Sequence, residues 1–330
     1  MHEEIQSASF QHEVIDLRKE ISDELRLAID TSTAQLTTAL VRGKEVLGVL
    51  EESAKQIHSI KLVPNIARLM EEHQLPMSAL QAIAAGYGPG SYTGVRIGVT
   101  VAKTLAWSLR IPVTGVSSIE ALAFRTASTG GWLQQSNKRV WIIPLINARR
   151  GRAYTGLYQL HDHQWQPLIS DRIRHVSDWL QWIAHEVSNL GGSDRKDAWK
   201  DRNQDREAAA GSIFQADIGQ PERDESKQFE RAEMEPSDPL QSIAFSGIDQ
   251  PDHIVVTGEA EGFQEEFNEF VKMTAVSCEI QQSIIHAADI ALLAGHRQHL
   301  AKSGDDVHAF VPNYTQVAEA EAKLREKTKH

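Results

Sequence analysis

The sequence predicts a mixed α/β protein of two halves, each opening on consecutive β-strands that are followed by helices. Three observations carry that expectation. Runs rich in aliphatic and β-branched residues occur in two sets, at residues 25–53 and 139–160. Between them lies a long segment of small and apolar residues at helical spacing. The composition is 41% hydrophobic and 24% charged over 330 residues, that of a globular chain long enough for two cores.

Residues 1–24 are polar and acidic. Val14, Ile15, Leu17 and Ile21 are spaced to form one face of a short helix, in what reads as an ordered extension, a tail or an over-long start. From Leu25, LRLAIDT reads as a buried strand. QLTTALVR and EVLGVLEES follow, with Gly43-Lys44 as the hairpin turn. From Ala54 the period changes: Ile57, Ile60, Val63, Ile66 and Leu69 recur every three residues and mark a helix face. Pro64 removes a backbone hydrogen bond there, so a bend is expected. A short strand, AIAAGYG, leads through a glycine-rich loop into a helix over about 95–109, ended by Arg110 and Pro112. A strand near Val113 follows, then a helix capped by Ser117 or Ser118 with Glu120 in its first turn.

The second set, RVWIIPLINA and GRAYTGLYQL, has a tight turn at Arg150-Gly151. Later, HIVVTG reads as a buried strand, and a helix is expected over about 283–300. The stretch 193–250 is rich in Asp, Glu, Arg, Gln, Ser and Ala and poor in β-branched and aromatic residues. Such a composition buries too little apolar area to offset its ordering entropy, so it is expected to be a disordered insertion. The expected division is 1–24 as an extension, 25–127 as the first domain, and 128–330 as the second domain carrying the insertion. Three strands, then helix–strand–helix–strand–helix, is the order of a ribonuclease-H-like domain of the actin, sugar kinase and Hsp70 superfamily, in which two such domains usually face each other.

Composition also excludes classes. No apolar run approaches the ~18 residues that span a bilayer. MHEEIQSASF lacks the basic start and apolar centre of a secretory signal. Cys278 stands alone, which excludes an intramolecular disulfide and Cys-rich zinc sites. A cytoplasmic protein without membrane contact is expected. The net charge of −11 argues against a main RNA-gripping role, since Lys and Arg drive that binding. Arg149, Arg150 and Arg152 in NARRGRAY form a local basic cluster, either an RNA or complex contact or a solvated turn.

The most informative stretch is GYGPGSYTGVRIGVTVAKTLAW. Gly88, Gly90 and Gly94 lie between a strand and a helix, where free amides and the helix dipole favour anions. The spacing is G-x-G-x-x-x-G, not the dinucleotide fingerprint, and no Gly-Lys-Ser/Thr follows. Gly94, Gly98, Ala102 and Ala106 fall four apart and form a small-residue ridge flanked by Val101 and Leu105. A glycine inside a helix costs ~1 kcal/mol, so close packing should compensate. Either this domain's own sheet or a partner subunit supplies that packing, and the expectation is a partner.

Asp30-Thr31 at the first strand's end, His58, GPGSYTGVRIG, AKTLAW, GVSSIEALA, ARRGRAYTGLY and VPNYTQVAEAEAK together resemble the TsaB (YeaZ) family of tRNA threonylcarbamoyladenosine biosynthesis proteins, particularly of the Bacillus type. The resemblance covers roughly residues 25–190 and 252–326. It implies a non-catalytic scaffold or activator subunit. Its partners would be a TsaD-like catalytic subunit, which transfers threonylcarbamoyl to N6 of the adenosine next to the anticodon, and a TsaE-like ATPase. Transfer RNA would be met indirectly through the complex. ATP and metal would belong to the partner subunits, with no cofactor in this one. The first two helices would form the subunit contact, which places Ile57 and His58 beside the ridge, and the same surface would allow a homodimer. Asn147 stands where the family usually has aspartate.

The catalytic relative holds a metal with two histidines at i and i+4 on one helix, a spacing that points both imidazoles one way. Here Leu62 stands four residues after His58, and His73 is distant. His161 and His163 flank Asp162 in an expected turn. His296 and His299, one turn apart, are either a metal clamp or exposed helix residues. Asp30 is either a remnant of the superfamily's nucleotide site or a hydrogen-bonded strand end, and the second is favoured. The competing class is a kinase-like or metallopeptidase-like enzyme, for which neither His-Glu-x-x-His nor a second phosphate loop is found.

Overall fold

The strands of the first set alternate by face, and that alternation builds the layers. The computed structural model describes residues 13–53, 58–135, 137–191 and 248–313. Ile57, the stretch 193–247 and the chain beyond Asn313 lie outside the described residues.

The first sheet orders β4 (Glu45–Ser53), β3 (Gln35–Arg42), β2 (Leu25–Asp30), β5 (Ala82–Gly86) and β6 (Val113–Val116). β2, β3 and β4 pair antiparallel, while β2, β5 and β6 pair parallel. The second sheet orders β1 (Ile15–Asp16), β9 (Gln164–His175), β8 (Arg152–His161), β7 (Val140–Arg149), β10 (His253–Gly258) and β11 (Ser277–Gln281). It repeats the scheme: β7, β8 and β9 are antiparallel, and β7, β10 and β11 are parallel.

On β2, Leu25, Leu27 and Ile29 face a core shared with α1 (His58–Glu72) and α2 (Tyr92–Leu109). Ala28 points the other way, into a core shared with α3 (Ser118–Thr129), α6 (Ala287–His296) and the inner face of the second sheet. On β7, Val140, Ile142 and Ile146 join that middle core. Trp141, Ile143 and Leu145 face α4 (Val176–Leu190) and α5 (Gln264–Met273) on the outside. Period-two strands buried on both faces thus stack helices, sheet, helices, sheet and helices.

Several expectations are corrected. The segment around Ile15 is not a helix: β1 adds to the edge of β9, with Ile15 opposite Trp165. Ile15 and Ile21 are buried, so this part of the extension joins the core. The three-residue row on α1 is only partly its buried face, since its later members Ile66 and Leu69 are buried and the earlier Ile60 and Val63 are not. Leu62, Ile66, Leu69 and Met70 are buried, whereas Ile60 and Val63 are 69% and 57% exposed. A true helix advances 3.6 residues per turn, so a strict three-residue row rotates out of the core. Pro64 lies inside α1, as the sequence places it. α2 begins at Tyr92, three residues before the expected start, because Ser91 caps it. The late helix is shorter than expected. β9, α4, α5 and β11 were not foreseen. Each sheet is drawn from one side of the 127/128 division, apart from β1. α6 packs on β2, β3 and β5, and the 3-10 turn Gly304–Ala309 packs on α2, so the end of the described chain returns to the first half.

Candidate functional site

The ends of β2 and β5 meet at Asp30, and the glycine-rich loop closes over them. Asp30 is fully buried. Its Oδ1 accepts the Ser32 amide at 2.8 Å and the Ser32 hydroxyl at 2.7 Å, and its Oδ2 accepts the Ser118 hydroxyl at 2.6 Å. A Cβ on Gly86 would collide with that carboxylate, and one on Gly90 would collide with the Ser32 carbonyl. The loop's amides are engaged as well. Gly88 donates to Ser118 Oγ at 3.2 Å, Ser91 to the Ser32 carbonyl at 2.6 Å and Gly94 to Ser91 Oγ at 3.3 Å. An anion site at a helix start needs free amides. Here the amides of Gly88, Ser91 and Gly94 are spent on Ser118, Ser32 and the helix cap.

The ridge on α2 is a second correction. Gly94, Gly98, Ala102 and Ala106 are all buried. A Cβ on Gly94 would collide with the Thr31 carbonyl, and one on Gly98 with the Thr31 hydroxyl. Thr31 Oγ1 donates to the Gly94 carbonyl at 2.7 Å and accepts the Gly98 amide at 3.1 Å. The compensation for helical glycine is thus this domain's own sheet. Val101 and Leu105 are half-buried against the same core. His58 is described only as the first residue of α1.

A polar cluster that the sequence reading missed joins the two halves. It lines a pocket with Tyr87, Ser117, Glu120, Tyr158, Asp171 and Arg297. Ser117, the cap of α3, donates to Asp171 Oδ2, and Tyr158 donates to Asp171 Oδ1. Burial pushes the Asp171 carboxyl up to about 6, against the pull of those two hydrogen bonds. Glu120 takes a bidentate pair from Arg297 at 2.6 and 2.7 Å, and Trp165 Nε1 donates to it at 3.0 Å. The capping role of Ser117 and the placement of Glu120 in the first turn were readable, but their partners across the junction were not.

At the far end of the second sheet, Arg149 and Arg150 are exposed and Arg152 is half-buried, on the β7–β8 hairpin. Asn147 Oδ1 accepts the Arg149 amide at 2.7 Å, so the amide side chain shapes the turn. Asp162 and His163 form the next hairpin turn, with φ of 47° and 59°. Of the two histidines read as a metal clamp or as exposed helix residues, His296 is half-buried on α6 and His299 is 56% exposed beside Glu13 at 3.2 Å. Among the described residues, no three His, Cys, Asp or Glu side chains are grouped to hold a metal ion. Likewise, no helix among them is long and apolar enough to cross a membrane.

A family model described as "TsaD: tRNA N6-adenosine threonylcarbamoyltransferase" matches residues 36–324. The tRNA threonylcarbamoyladenosine biosynthesis protein TsaB of Bacillus subtilis (strain 168) is 41% identical over 157 residues, 48% of this chain and 65% of that protein. The match therefore spans just under two thirds of this relative. TsaB of Escherichia coli (strain K12) is 29% identical over 171 residues, covering 50% and 70% of the two chains. YeaZ from Pseudomonas aeruginosa superposes with a TM-score of 0.53 at 21% identity, over 88% of this chain and 100% of that one. A second solved structure, described as an uncharacterized protein with similarity to peptidase YEAZ from Pseudomonas aeruginosa, gives 0.55 at 22% identity, over 89% and 100%. At such identities the superpositions show the fold alone.

Proposed function

The chain belongs to the family described as TsaD, tRNA N6-adenosine threonylcarbamoyltransferase, and is similar there to the TsaB (YeaZ) proteins; on that premise we propose that it is a non-catalytic supporting subunit of a tRNA threonylcarbamoyladenosine-modifying complex. It pairs with a TsaD-like catalytic subunit and works beside a TsaE-like ATPase. ATP and metal act in those partners, and the RNA is met through the assembled complex. The two halves are read as ribonuclease-H-like domains of the actin superfamily, which fits the repeated order of three antiparallel strands and two parallel ones.

One observation carries the pairing. α1 and α2 pack together on the outer face of the first sheet, and α1 leaves Ile60 and Val63 in solvent, 69% and 57% exposed. On α2, Tyr92 and Trp107 are 46% and 58% exposed. Large apolar side chains on two neighbouring helices suit a protein partner. The interface is therefore assigned to this outer surface, not to the small-residue ridge. A homodimer through the same surface would compete with the catalytic subunit. The non-catalytic reading is supported by the engaged loop amides and by Leu62, four residues after His58, which is fully buried in the core.

Co-purification with the TsaD-like subunit of the same organism is the direct test. Val63→Asp should leave the circular dichroism intact and reduce complex formation at least tenfold, since a carboxylate buried in an interface loses its hydration. A wild-type chain that never binds the catalytic subunit, or that transfers threonylcarbamoyl alone, would overturn the reading.

A further inference from the structure

The tip of the β7–β8 hairpin presents charge in a backbone geometry that does not favour it. Arg149, Arg150 and Gly151 stand consecutively in the left-handed region, at φ of 68°, 53° and 70°. Glycine adopts that region freely and asparagine tolerates it, whereas arginine has no such preference. Two arginines nevertheless occupy the turn. Arg149 and Arg150 have no carboxylate within ion-pair distance among the described residues, in a chain with 45 acidic and 34 basic residues. Elsewhere Arg26, Arg68, Arg139 and Arg297 each face one.

Arg152, the first residue of β8, adds a third guanidinium next to the tip. Arg152 pairs across to His175, and His175 Nδ1 lies 4.0 Å from where a Cβ on Gly151 would stand. Two carboxylates border the patch. Glu259 accepts the Asn147 amide at 2.9 Å, and Asp178 accepts the Ser177 hydroxyl at 3.1 Å. The exposed large apolar side chains lie on other segments, none within the tip. A protein interface of useful affinity buries such groups at its centre. A phosphate backbone needs none, and the guanidinium fork matches its oxygens.

We infer that the Arg149–Arg150 tip, with Arg152 beside it, docks the phosphate backbone of the RNA substrate. The inference rests on the reading that the chain works in a tRNA-modifying complex. It assigns RNA contact to one small basic end of an otherwise acidic chain.

The test uses the full chain assembled with its catalytic partner and an unmodified tRNA transcript, followed by fluorescence anisotropy over a salt series. Arg149→Asn/Arg150→Asn removes both charges while suiting the left-handed turn, so melting temperature and complex assembly should not change. Tenfold or greater loss of RNA affinity is expected at low salt. The slope of log K against log salt should shrink by about two, one per lost phosphate contact. The Arg149→Lys/Arg150→Lys variant should keep most of that slope. Unchanged affinity and slope would overturn the inference. So would loss of complex assembly with RNA binding intact, which would make the tip a protein contact. Assembly is read before RNA is added, so failure of the complex is scored separately. In that event the chain alone is titrated with the same RNA, and absence of salt-dependent binding by wild type overturns the inference too.

Discussion

Gly94 and Gly98 show how a residue's cost identifies its contact. Replacing a helical glycine by alanine gains ~1 kcal/mol in propensity. Here the new Cβ of Gly94→Ala would collide with the Thr31 carbonyl, which is backbone and has little room to move. Overpacking typically costs ~1–3 kcal/mol, so it outweighs the propensity gain. Gly94→Ala should lower the urea midpoint, whereas Thr104→Ala on the exposed side of α2 should not. The spacing of the ridge was legible, but its direction was not, because both sides of α2 carry apolar residues. Asp171 lay further from reach. Its partners Ser117 and Tyr158 come from other elements, Ser117 being 54 residues away, and no local pattern announces the cluster. Its pH signature is specific. The folded-state value is raised from 3.8 to about 6, so the proton is held more tightly in the folded protein. The stability this group contributes is complete below about 3.8 and lost as pH rises through 6. Its full span is about 3 kcal/mol, at ~1.4 kcal/mol per unit. The stability of wild type relative to Asp171→Asn should therefore be greater at pH 4.5 than at pH 7, measured by denaturant unfolding at each pH. A difference that is flat with pH, or that grows toward pH 7, would refute the assignment.

At the scale of elements, the sequence is most legible where one period dominates. β3, β4 and β10 occupy the runs expected of them, and Ser117 caps α3 as its position implies. α4 was readable too, since Val176, Trp179, Leu180, Ile183 and Val187 are buried at helical spacing. β9 gave no clean signal. Pro167, Asp171 and Arg174 interrupt its apolar positions, and its register against β8 shifts at bulges. α5 buries only Phe267 and Phe270. The amino-terminal segment misled for a related reason. Val14, Ile15, Leu17 and Ile21 fit a helical wheel, yet two residues of strand suffice to pair with β9. What fixes the segment is burial, with Ile15 at 4% and Ile21 at 7% exposure. Ile21 also lies against Gly295 of α6, where a Cβ would crowd it. Ile21→Ala should therefore cost ~2–4 kcal/mol in chemical denaturation, as buried Ile to Ala changes do. A cost below ~0.5 kcal/mol would make the segment an appended tail.

Across the whole molecule, the two sheets are tied by what lies between them. α3 comes from the first half and α6 from the second, and both sit in the middle core. Their polar tie is Glu120 with Arg297, 177 residues apart and both nearly sealed from solvent. No sequence pattern could pair them, because Glu120's place in the first turn of α3 and Arg297's place just after α6 say nothing of a partner 177 residues away. A buried ion pair adds little net stability, since desolvating two charges offsets most of their attraction. Breaking one is a different matter, because the surviving charge is left without water or a counter-charge. Arg297→Met alone should cost ~3–5 kcal/mol, with Glu120 left buried beside Trp165. Glu120→Gln/Arg297→Met removes both charges and keeps an acceptor for the Trp165 indole. If the pair's role is to specify how the halves meet, the double variant should recover most of the loss. Unfolding of the single and double variants, followed by tryptophan fluorescence and by circular dichroism, gives the comparison. Equal losses in both would mean that Arg297 contributes by filling space, and that the junction is held by the apolar middle core alone.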